Sequence, residues 1–303
     1  MTSVIIPTYQ GEDKISKCIE SLLNQSSTGF EIIIAIDGST DKTEDIARQK
    51  LKDYPNYKII SQENKGRAAI RNFGAQSATG NVLVFYDDDT RASVDSVYSH
   101  TKFHDEQKGA VFQGSIITDH TKIDTDIQLY KAQLEKKWEL SLISDSGVID
   151  GAYLSAANFS ITKELFNHLG GFDDSLSDCE DFELSTRLQE SSFPVFYDSA
   201  NFVFHDDPIT LVKYINRKRD YALAQKDLIK NDPVKFEKYN QRNFVPRKGL
   251  KKIIYKCLSS KKLVEIIDRE HFLIMALPKK LRFKLYELTI QSLSQYFPNK
   301  IIN

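Results

Sequence analysis

The sequence predicts an α/β protein with a mostly parallel sheet, followed by a helical C-terminal region. Over the first 90 residues, short apolar runs alternate with segments whose apolar residues have helical spacing, a pattern typical of strands joined by crossover helices. Residues 32–36 are apolar throughout, as expected of a parallel strand that is buried on both faces. After residue 209 the apolar spacing is helical almost throughout, which predicts a separate helical region.

The first four strands are predicted at residues 4–6, 31–36, 57–60 and 82–86, each a short apolar run that ends at a turn signal. Helices are expected between them, over residues 13–25, 40–51 and 66–77. Residues 91–208 are less regular, with helices expected at 127–142, 163–169 and 181–189 and short strands at 193–196 and 202–205. We therefore expect one α/β domain over residues 1–208, divided near residue 90, and a helical region over residues 209–303.

Three consecutive acids, Asp87, Asp88 and Asp89, follow the fourth predicted strand directly. Their carboxylates repel one another unless a positive charge lies nearby, and hard oxygen ligands suit Mg²⁺ or Mn²⁺. Ligands of open α/β sheets bind in the crevice beyond the carboxyl ends of the strands. The cluster therefore indicates a metal site where a nucleotide binds, although a solvated acidic turn also explains three acids in a row.

Two further clusters follow predicted strands. Asp37 precedes Gly38 and Ser39 at the end of the second strand, where it can accept a hydrogen bond from a base or ribose, although helix capping also explains these residue types. Arg67 and Arg71 share one face of the third helix, an arrangement that suits a pyrophosphate or, equally, a solvated basic surface.

The order of these motifs resembles the family 2 glycosyltransferases of the GT-A fold. The resemblance rests on residues 3–9, 36–41, 64–72 and 85–89, and continues at residues 170–173 and 180–181. It covers about residues 3–205 and implies a Rossmann-like nucleotide-binding half over residues 1–90 and a mixed acceptor half over residues 91–208. Two positions depart from the family pattern: Ile36 replaces the first of two acids before Gly38, and Thr90 stands where another acid is common.

The resemblance implies a role for each side chain. The residues expected to bind the donor are Pro7, Thr8, Tyr9, Asp37, Arg71, Asp87, Asp88, Asn158 and Glu180. Asp37 would read the base and Arg71 would support the base or the phosphates, while Asp88 would act as the spacer between its neighbours. The expected cofactor is Mn²⁺ or Mg²⁺, held by Asp89 and Asp87, and His205 is either a further metal ligand or a structural residue.

Asp181 is expected to be the general base of an inverting reaction, because it lies where the family places its base. Asp181 and Glu180 also fit a simpler interpretation, since acids are favoured at the start of a helix. Trp138 and Tyr153 either stack on an acceptor sugar or pack in the core.

The expected function is transfer of a sugar from a nucleoside-diphosphate sugar, and a UDP-sugar is the expected donor. The acceptor is expected to be a hydroxyl of a glycan or a lipid-linked saccharide in bacterial surface polysaccharide synthesis. Two alternatives remain open. A sugar nucleotidyltransferase also uses strand-end acids, a metal and a basic phosphate clamp, and an inert membrane-associated adaptor could retain the same fold.

The C-terminal region is strongly basic. From residue 242 onward the sequence contains 14 Lys and Arg against 4 Asp and Glu, although the whole chain has a net charge of −1. Basic amphipathic helices can lie on an anionic membrane, and a solvated basic surface is the alternative. No nucleic-acid reader motif accompanies the charge. Without a signal peptide or an apolar run long enough to span a bilayer, we expect a cytoplasmic location, peripheral to the inner face of the membrane.

Overall fold

The computed structural model describes residues 1–142, 144, 146–206, 209–236, 248–270 and 272–300. The chain forms two compact units. The first contains Met1–Asp119 and Glu135–Asp207, and the second contains His120–Leu134 and Pro208–Asn303. The segment His120–Leu134, which the sequence predicted as part of the first domain, therefore belongs to the second unit.

The first unit is built on one eight-stranded sheet. Its strands are β1 (Thr2–Thr8), β2 (Glu31–Asp37), β3 (Tyr57–Gln62), β4 (Val82–Tyr86), β5 (Thr90–Ala92), β6 (Val111–Ile117), β7 (Asn158–Thr162) and β8 (Val195–His205). They lie in the order β3-β2-β1-β4-β7-β6-β8-β5. The helices that follow the strands are α1 (Ile15–Leu23), α2 (Thr43–Leu51), α3 (Arg67–Ser77), α4 (Ser96–Glu106), α5 (Asp126–Leu142), α6 (Lys163–His168) and α7 (Glu180–Glu190).

The sheet is mixed, as predicted. Strands β3, β2, β1 and β4 are mutually parallel, whereas β7 runs antiparallel to both β4 and β6. Because Val4 lies opposite both Ile32 and Val84, the carboxyl ends of β1, β2 and β4 meet at one edge of the sheet. That edge carries Thr8, Asp37 and the three acids after β4.

Alternate residues of the central strands enter two hydrophobic clusters, one on each face of the sheet. Ile5 and Ile33 belong to one cluster, while Val4 and Ile32 belong to the other. The helix α1 covers the second face because Ile15, Cys18, Ile19 and Leu22 recur at helical spacing and are buried. Burial on both faces explains the unbroken apolar sequence of β2.

The acceptor half contains more regular structure than the sequence predicted. The two short strands expected at 193–196 and 202–205 are a single strand, β8. Its middle, residues 198–200, is exposed, and the pairing with β6 shifts register between Gly114 and Ser115. This irregularity interrupts the apolar pattern without ending the strand. Strands β5, β6 and β7 and helix α4 were not predicted.

The second unit is helical in its described residues, as predicted. Its helices are α8 (Leu211–Asn231), α9 (Pro233–Phe236), α10 (Gly249–Leu258), α11 (Lys261–Asp268), α12 (Phe272–Met275) and α13 (Lys279–Gln291), followed by a π-helical turn at Ser292–Tyr296. Its core includes Ile127 and Tyr130 from the first half of α5. Asp126 accepts hydrogen bonds from Arg282 at 2.8 and 2.9 Å and from the Tyr286 hydroxyl at 3.2 Å. Within the described ranges, no helix combines the length and apolar character needed to cross a bilayer.

Candidate active site

The candidate site lies in the first unit, where β1, β2 and β4 end and the start of α7 approaches them. Most of the residues predicted from the sequence occur here, but several of their side chains bind one another. Two residues at the end of β1 differ sharply in exposure. Pro7 is buried in the strand, whereas Tyr9 has 53% of its surface exposed, so Tyr9 is available to a ligand.

Asp88 anchors the acidic turn to the loop after β1. Its carboxylate accepts a 2.7 Å hydrogen bond from the Thr8 hydroxyl and forms a 3.1 Å ion pair with Lys14. Burial raises the pKa of Asp88 to about 6, even though Lys14 opposes the shift. Gly11 allows the close approach, because a Cβ there would lie 2.2 Å from the Thr8 hydroxyl oxygen. The carboxylate of Asp88 therefore has a structural role, because it holds the acidic turn against the loop after β1.

Asp37 organises the loop that precedes α3. Its buried carboxylate accepts hydrogen bonds from Gln62 Nε2 at 2.8 Å and from the backbone N–H groups of Lys65 and Gly66 at 3.0 and 2.9 Å. Gly38 adopts φ +75°, and a Cβ there would lie 2.7 Å from the Asn64 nitrogen. A carboxylate offers about four acceptor positions, so Asp37 retains capacity for about one more donor.

Arg71 joins Asp87 to the start of α7. The guanidinium is buried, with Nη2 2.7 Å from Asp87 Oδ1 and Nη1 bonded to Glu180. Its Cζ lies 5.8 Å from the centroid of the Phe172 ring. Burial opposes the charge, but the Asp87 and Glu180 carboxylates hold the pKa of Arg71 above its usual value. For Asp87, burial is outweighed by Arg71, which lowers the pKa of this carboxyl.

This ion triad changes the role expected for Arg71 and Glu180. Both terminal nitrogens of Arg71 bind carboxylates, so the structure does not present them to a base or a phosphate as the sequence predicted. Glu180 is likewise directed to Arg71 rather than to a donor. Arg71 and Glu180 instead fix the position of Asp87, whose side chain is 32% exposed.

Asp89 and His205 come together although they are far apart in the chain. Strand β5 pairs with the end of β8 so that Thr90 lies opposite His205, and the Asp206 N–H donates to the Asp89 carbonyl at 2.9 Å. As a result His205 Nε2 lies 3.4 Å from Asp89 Oδ1, and both side chains are about one-fifth exposed.

The Asp89–His205 pair fits a divalent cation that shares its ligands with a substrate. No group of three or more His, Cys, Asp or Glu residues in the described part of the chain forms a metal site. Mg²⁺ and its close relatives commonly take only one or two protein ligands and complete their shell with phosphate oxygens and water. An acidic oxygen and an imidazole at the same exposed edge suit that arrangement, whereas Asp87, the other expected ligand, binds Arg71.

Arg91 supports the His205 end of β8, a role that no sequence pattern indicated. Its guanidinium binds Asp206 at 2.5 and 3.0 Å and Asp119 at 2.7 Å. It also lies 4.9 Å from the centroid of the Phe204 ring. These contacts fix the residues on both sides of His205, and they join segments that no local sequence pattern could have connected.

Gln10 forms a second support that was not predicted. Its backbone N–H donates to the Ser39 hydroxyl at 3.0 Å, and its side-chain oxygen accepts from the Thr40 N–H at 2.8 Å. Gln10 has φ +49°, a conformation that is uncommon outside glycine. The loops after β1 and β2 are therefore joined into one wall of the site.

Asp181 occupies the first turn of α7, next to Glu180. Its carboxylate accepts a 2.7 Å hydrogen bond from the Phe182 N–H. The residue before the helix, Cys179, has φ +66°, so the chain turns sharply into α7. Arg71 binds Glu180, which fixes the start of the helix that carries Asp181.

Asn158 does not face the site, which corrects the prediction that it binds the donor sugar. Its side chain is fully buried at the start of β7. The amide oxygen accepts from His100 Nε2 at 2.9 Å, and the amide nitrogen donates to the carbonyls of Ser115 and Asn201 at 2.9 and 3.2 Å. The resemblance gave the position of Asn158 in the chain but not the direction of its side chain.

Comparison with known proteins identifies the same family that the sequence motifs resemble. The model of the family described as "Glycosyl transferase family 2" matches residues 3–170, more than half of the chain. An uncharacterized glycosyltransferase of Escherichia coli K12, YibD, is 44% identical over 87 residues, which cover 29% of this chain and 25% of YibD. The chain thus aligns with only about a quarter of the length of this relative.

Solved structures show the same fold. A mannosyltransferase from Pyrobaculum calidifontis, solved in complex with GDP-Man and Mn²⁺, has a TM-score of 0.64 and 15% identity, with 96% of this chain and 85% of that chain covered. TarS 1–349 of S. aureus, in complex with UDP-GlcNAc, has a TM-score of 0.54 and 17% identity, with coverage of 96% and 81%.

Proposed function

Because the chain belongs to glycosyl transferase family 2, we propose that it transfers a sugar from a nucleoside-diphosphate sugar to a hydroxyl group. The acceptor is a glycan or a lipid-linked saccharide of a bacterial surface polysaccharide. The observation that carries the proposal is the meeting of Asp37, Asp87, Asp89 and His205 at one edge of the sheet, with Asp181 joined to that edge through Glu180 and Arg71.

The nucleotide binds beyond β1 and β2. Asp37 accepts a hydrogen bond from the base through its remaining acceptor capacity, and the exposed Tyr9 directly follows the end of β1. An acceptor at this position favours a base with an N–H group, such as uracil, and UDP is the first nucleotide to test. The structural relatives bind both UDP-GlcNAc and GDP-Man, so GDP is the second.

Asp89 and His205 would hold Mn²⁺ or Mg²⁺, which as a Lewis acid stabilises the charge that develops on the leaving diphosphate. Asp87 remains ionised beside Arg71 and can therefore accept hydrogen bonds from ribose hydroxyls through its exposed part. Asp181 removes the proton of the acceptor hydroxyl, which attacks the anomeric carbon as the nucleoside diphosphate leaves. Attack in line from the opposite face inverts the anomeric configuration.

Hydrolysis and transfer assays with a panel of UDP- and GDP-sugars and Mn²⁺ test this proposal. We expect one donor to be cleaved, with Asp89→Ala and Asp181→Asn each reducing transfer at least about a hundredfold. Full transfer by either variant would refute its assigned role. Release of pyrophosphate from a nucleoside triphosphate would favour the nucleotidyltransferase alternative, and donor binding without turnover on any acceptor would favour the inert adaptor.

We also propose that the second unit contacts an anionic membrane surface through α10. Leu250, Ile253 and Ile254 are 72%, 60% and 44% exposed, and they share one face of the helix because of their spacing. Lys251 and Lys252 are also exposed beside this apolar face. Exposed apolar residues flanked by lysines match the composition of helices that lie in a lipid interface. A solvated basic face would not require the exposed Leu and Ile residues.

Sedimentation with vesicles tests the membrane proposal. We expect binding to vesicles that contain anionic phosphatidylglycerol, weaker binding at high salt, and at least about a tenfold loss for Leu250→Ser combined with Ile253→Ser. Lys52→Glu is the matched control, because Lys52 is an exposed lysine of the first unit. Equal binding by the α10 variant and the control would contradict the proposal.

A further inference from the structure

We propose that Trp138 and Tyr153 form a subsite for a sugar ring of the acceptor, beside the candidate base Asp181. The inference rests on the proposed function and adds the place where the acceptor is held. The sequence left two interpretations of these aromatic residues open, sugar stacking and core packing. In the structure Trp138 is exposed, whereas Tyr153 packs against the hydrophobic core beside it.

Trp138 is exposed on a helix that is firmly attached to the sheet. It is the only tryptophan of the chain, and 47% of its surface is accessible. On the same helix, α5, Glu135 accepts hydrogen bonds from the N–H and hydroxyl of Thr118 at 2.9 and 2.8 Å. Glu139 accepts from the Tyr197 hydroxyl at 3.2 Å. The indole is therefore presented to solvent from a fixed element, rather than packed in the core.

Tyr153 connects the indole to the catalytic region. The two rings meet edge to face with centroids 4.3 Å apart and planes at 87°. Tyr153 also packs against the hydrophobic cluster that contains Leu184. Leu184 belongs to α7, the helix that carries Asp181 in its first turn. Burial raises the pKa of the Tyr153 phenol, and the Asp181 carboxylate raises it further. The phenol therefore remains protonated and lies within electrostatic reach of Asp181.

This arrangement matches the chemistry of a pyranose ring. A sugar presents apolar C–H groups on its faces and hydroxyl groups around its rim. The indole offers a rigid apolar surface, and a protonated phenol offers a hydrogen-bond donor. Because Asp181 must lie close to the reacting hydroxyl of the acceptor, a sugar held against Trp138 and Tyr153 is near the group that would deprotonate it. The ligand class is therefore the terminal saccharide of the acceptor.

Tryptophan fluorescence tests the subsite directly, since Trp138 is the single tryptophan of this sequence and its emission can be excited selectively. The probes are methyl β-glycosides and β-linked disaccharides of glucose, galactose and N-acetylglucosamine, added to the protein with UDP and Mn²⁺. We expect at least one probe to change the emission in a saturable manner. The same probe should serve as an acceptor when UDP is replaced by the donor sugar nucleotide.

Kinetics with variants provide the second measurement. Trp138→Ala should raise the acceptor KM about fivefold to tenfold and lower the ratio of transfer to donor hydrolysis, with Trp138→Phe intermediate because it keeps an aromatic ring. Leu140→Ala is the matched control. Leu140 is 63% exposed on the same helix but points about 200° away around the helix axis, so its variant should resemble the wild type.

The outcomes separate this inference from the proposed function. Donor hydrolysis with no emission change for any probe, or equal acceptor KM values for Trp138→Ala and Leu140→Ala, would overturn the subsite while leaving the glycosyltransferase proposal intact. Failure of the wild-type protein to bind or cleave any sugar nucleotide would instead count against the proposed function. Saturable quenching of Trp138 by a saccharide would still support the subsite in that case, because the fluorescence assay requires no turnover.

Discussion

Replacement of Arg71 by methionine should destabilise the first unit far more than the loss of an ordinary surface ion pair. The side chains of Arg71 and Glu180 are only 5% and 6% exposed, whereas that of Asp87 is 32% exposed. Without Arg71, the Glu180 carboxylate remains buried without its cation, and the partly exposed Asp87 can be rehydrated. Breaking a buried pair in this way costs about 3–5 kcal/mol. We expect about 3 kcal/mol, since Asp87 regains water.

Denaturant unfolding at pH 7 measures this loss as a change in the free energy of unfolding. Arg71→Met combined with Glu180→Gln should recover about 2 kcal/mol, because the second change removes the stranded charge. Arg48→Met is the control: Arg48 pairs with Glu44 on the surface, with side chains 55% and 46% exposed, and should cost less than about 0.5 kcal/mol.

The pH dependence of the stability of Arg71→Met tests the same ion triad. Arg71 lowers the pKa of Asp87 in the folded protein, so this contribution to stability is present above the unfolded pKa and is lost as pH falls through the folded pKa. The deficit of Arg71→Met should therefore persist down to about pH 4 and shrink only below the ordinary Asp pKa of about 3.9. Equal stability of the single and double variants, or a deficit that grows in acid, would refute the account of the triad.

Three further predictions concern the stability of the first unit. Asp88→Ala should destabilise the protein by about 2 kcal/mol, because the Thr8 hydroxyl loses its buried acceptor, whereas Asp88→Asn, which retains an acceptor, should cost less in thermal unfolding. Gly11→Ala should cost at least about 2 kcal/mol in the same assay, since its Cβ would lie 2.2 Å from the Thr8 hydroxyl oxygen; an unchanged melting temperature would contradict this. Burial lowers the pKa of His100 to about 3 and that of His104 to about 4, so both remain neutral in the folded protein and their contribution to stability falls as pH drops below the unfolded value of about 6.5. His100→Gln should weaken this loss of unfolding free energy at acid pH, as measured by unfolding at a series of pH values. An unchanged pH dependence would count against the role of His100.

The parallel half of the fold could be predicted because its information is local. Residues 32–36 are apolar without interruption, and this pattern alone indicates a strand buried on both faces. The acids after β4 follow such a strand directly, so their position at the sheet edge follows from the topology. The acceptor half was harder, because the exposed residues 198–200 interrupt the apolar pattern of β8.

The directions of the site side chains depend on long-range contacts and could not be predicted. Arg71 binds Glu180, 109 positions later in the chain, and Arg91 binds Asp206, 115 positions later. Asn158 illustrates the same limit: its position agrees with the family pattern, but its amide belongs to a buried network around His100. Motif spacing locates such residues in the fold, whereas tertiary packing determines whether they face the ligand.

For Asp88, the structure modifies a simple expectation from the motif. A spacer between two functional acids would tolerate replacement by alanine best of the three. The contacts of Asp88 with Thr8 and Lys14 instead predict a loss of stability with little direct effect on metal binding. Activity per folded molecule, rather than total activity, therefore separates Asp88 from Asp89.

Calorimetric titration of the protein with UDP, with and without Mn²⁺, tests the central claim most directly. If Asp89 and His205 hold a cation that the diphosphate completes, Mn²⁺ should strengthen UDP binding at least about tenfold, equivalent to about 1.4 kcal/mol. Asp89→Asn should remove that gain while leaving metal-free binding unchanged. Equal UDP affinity with and without Mn²⁺ in the wild type, or an undiminished gain in Asp89→Asn, would contradict the account.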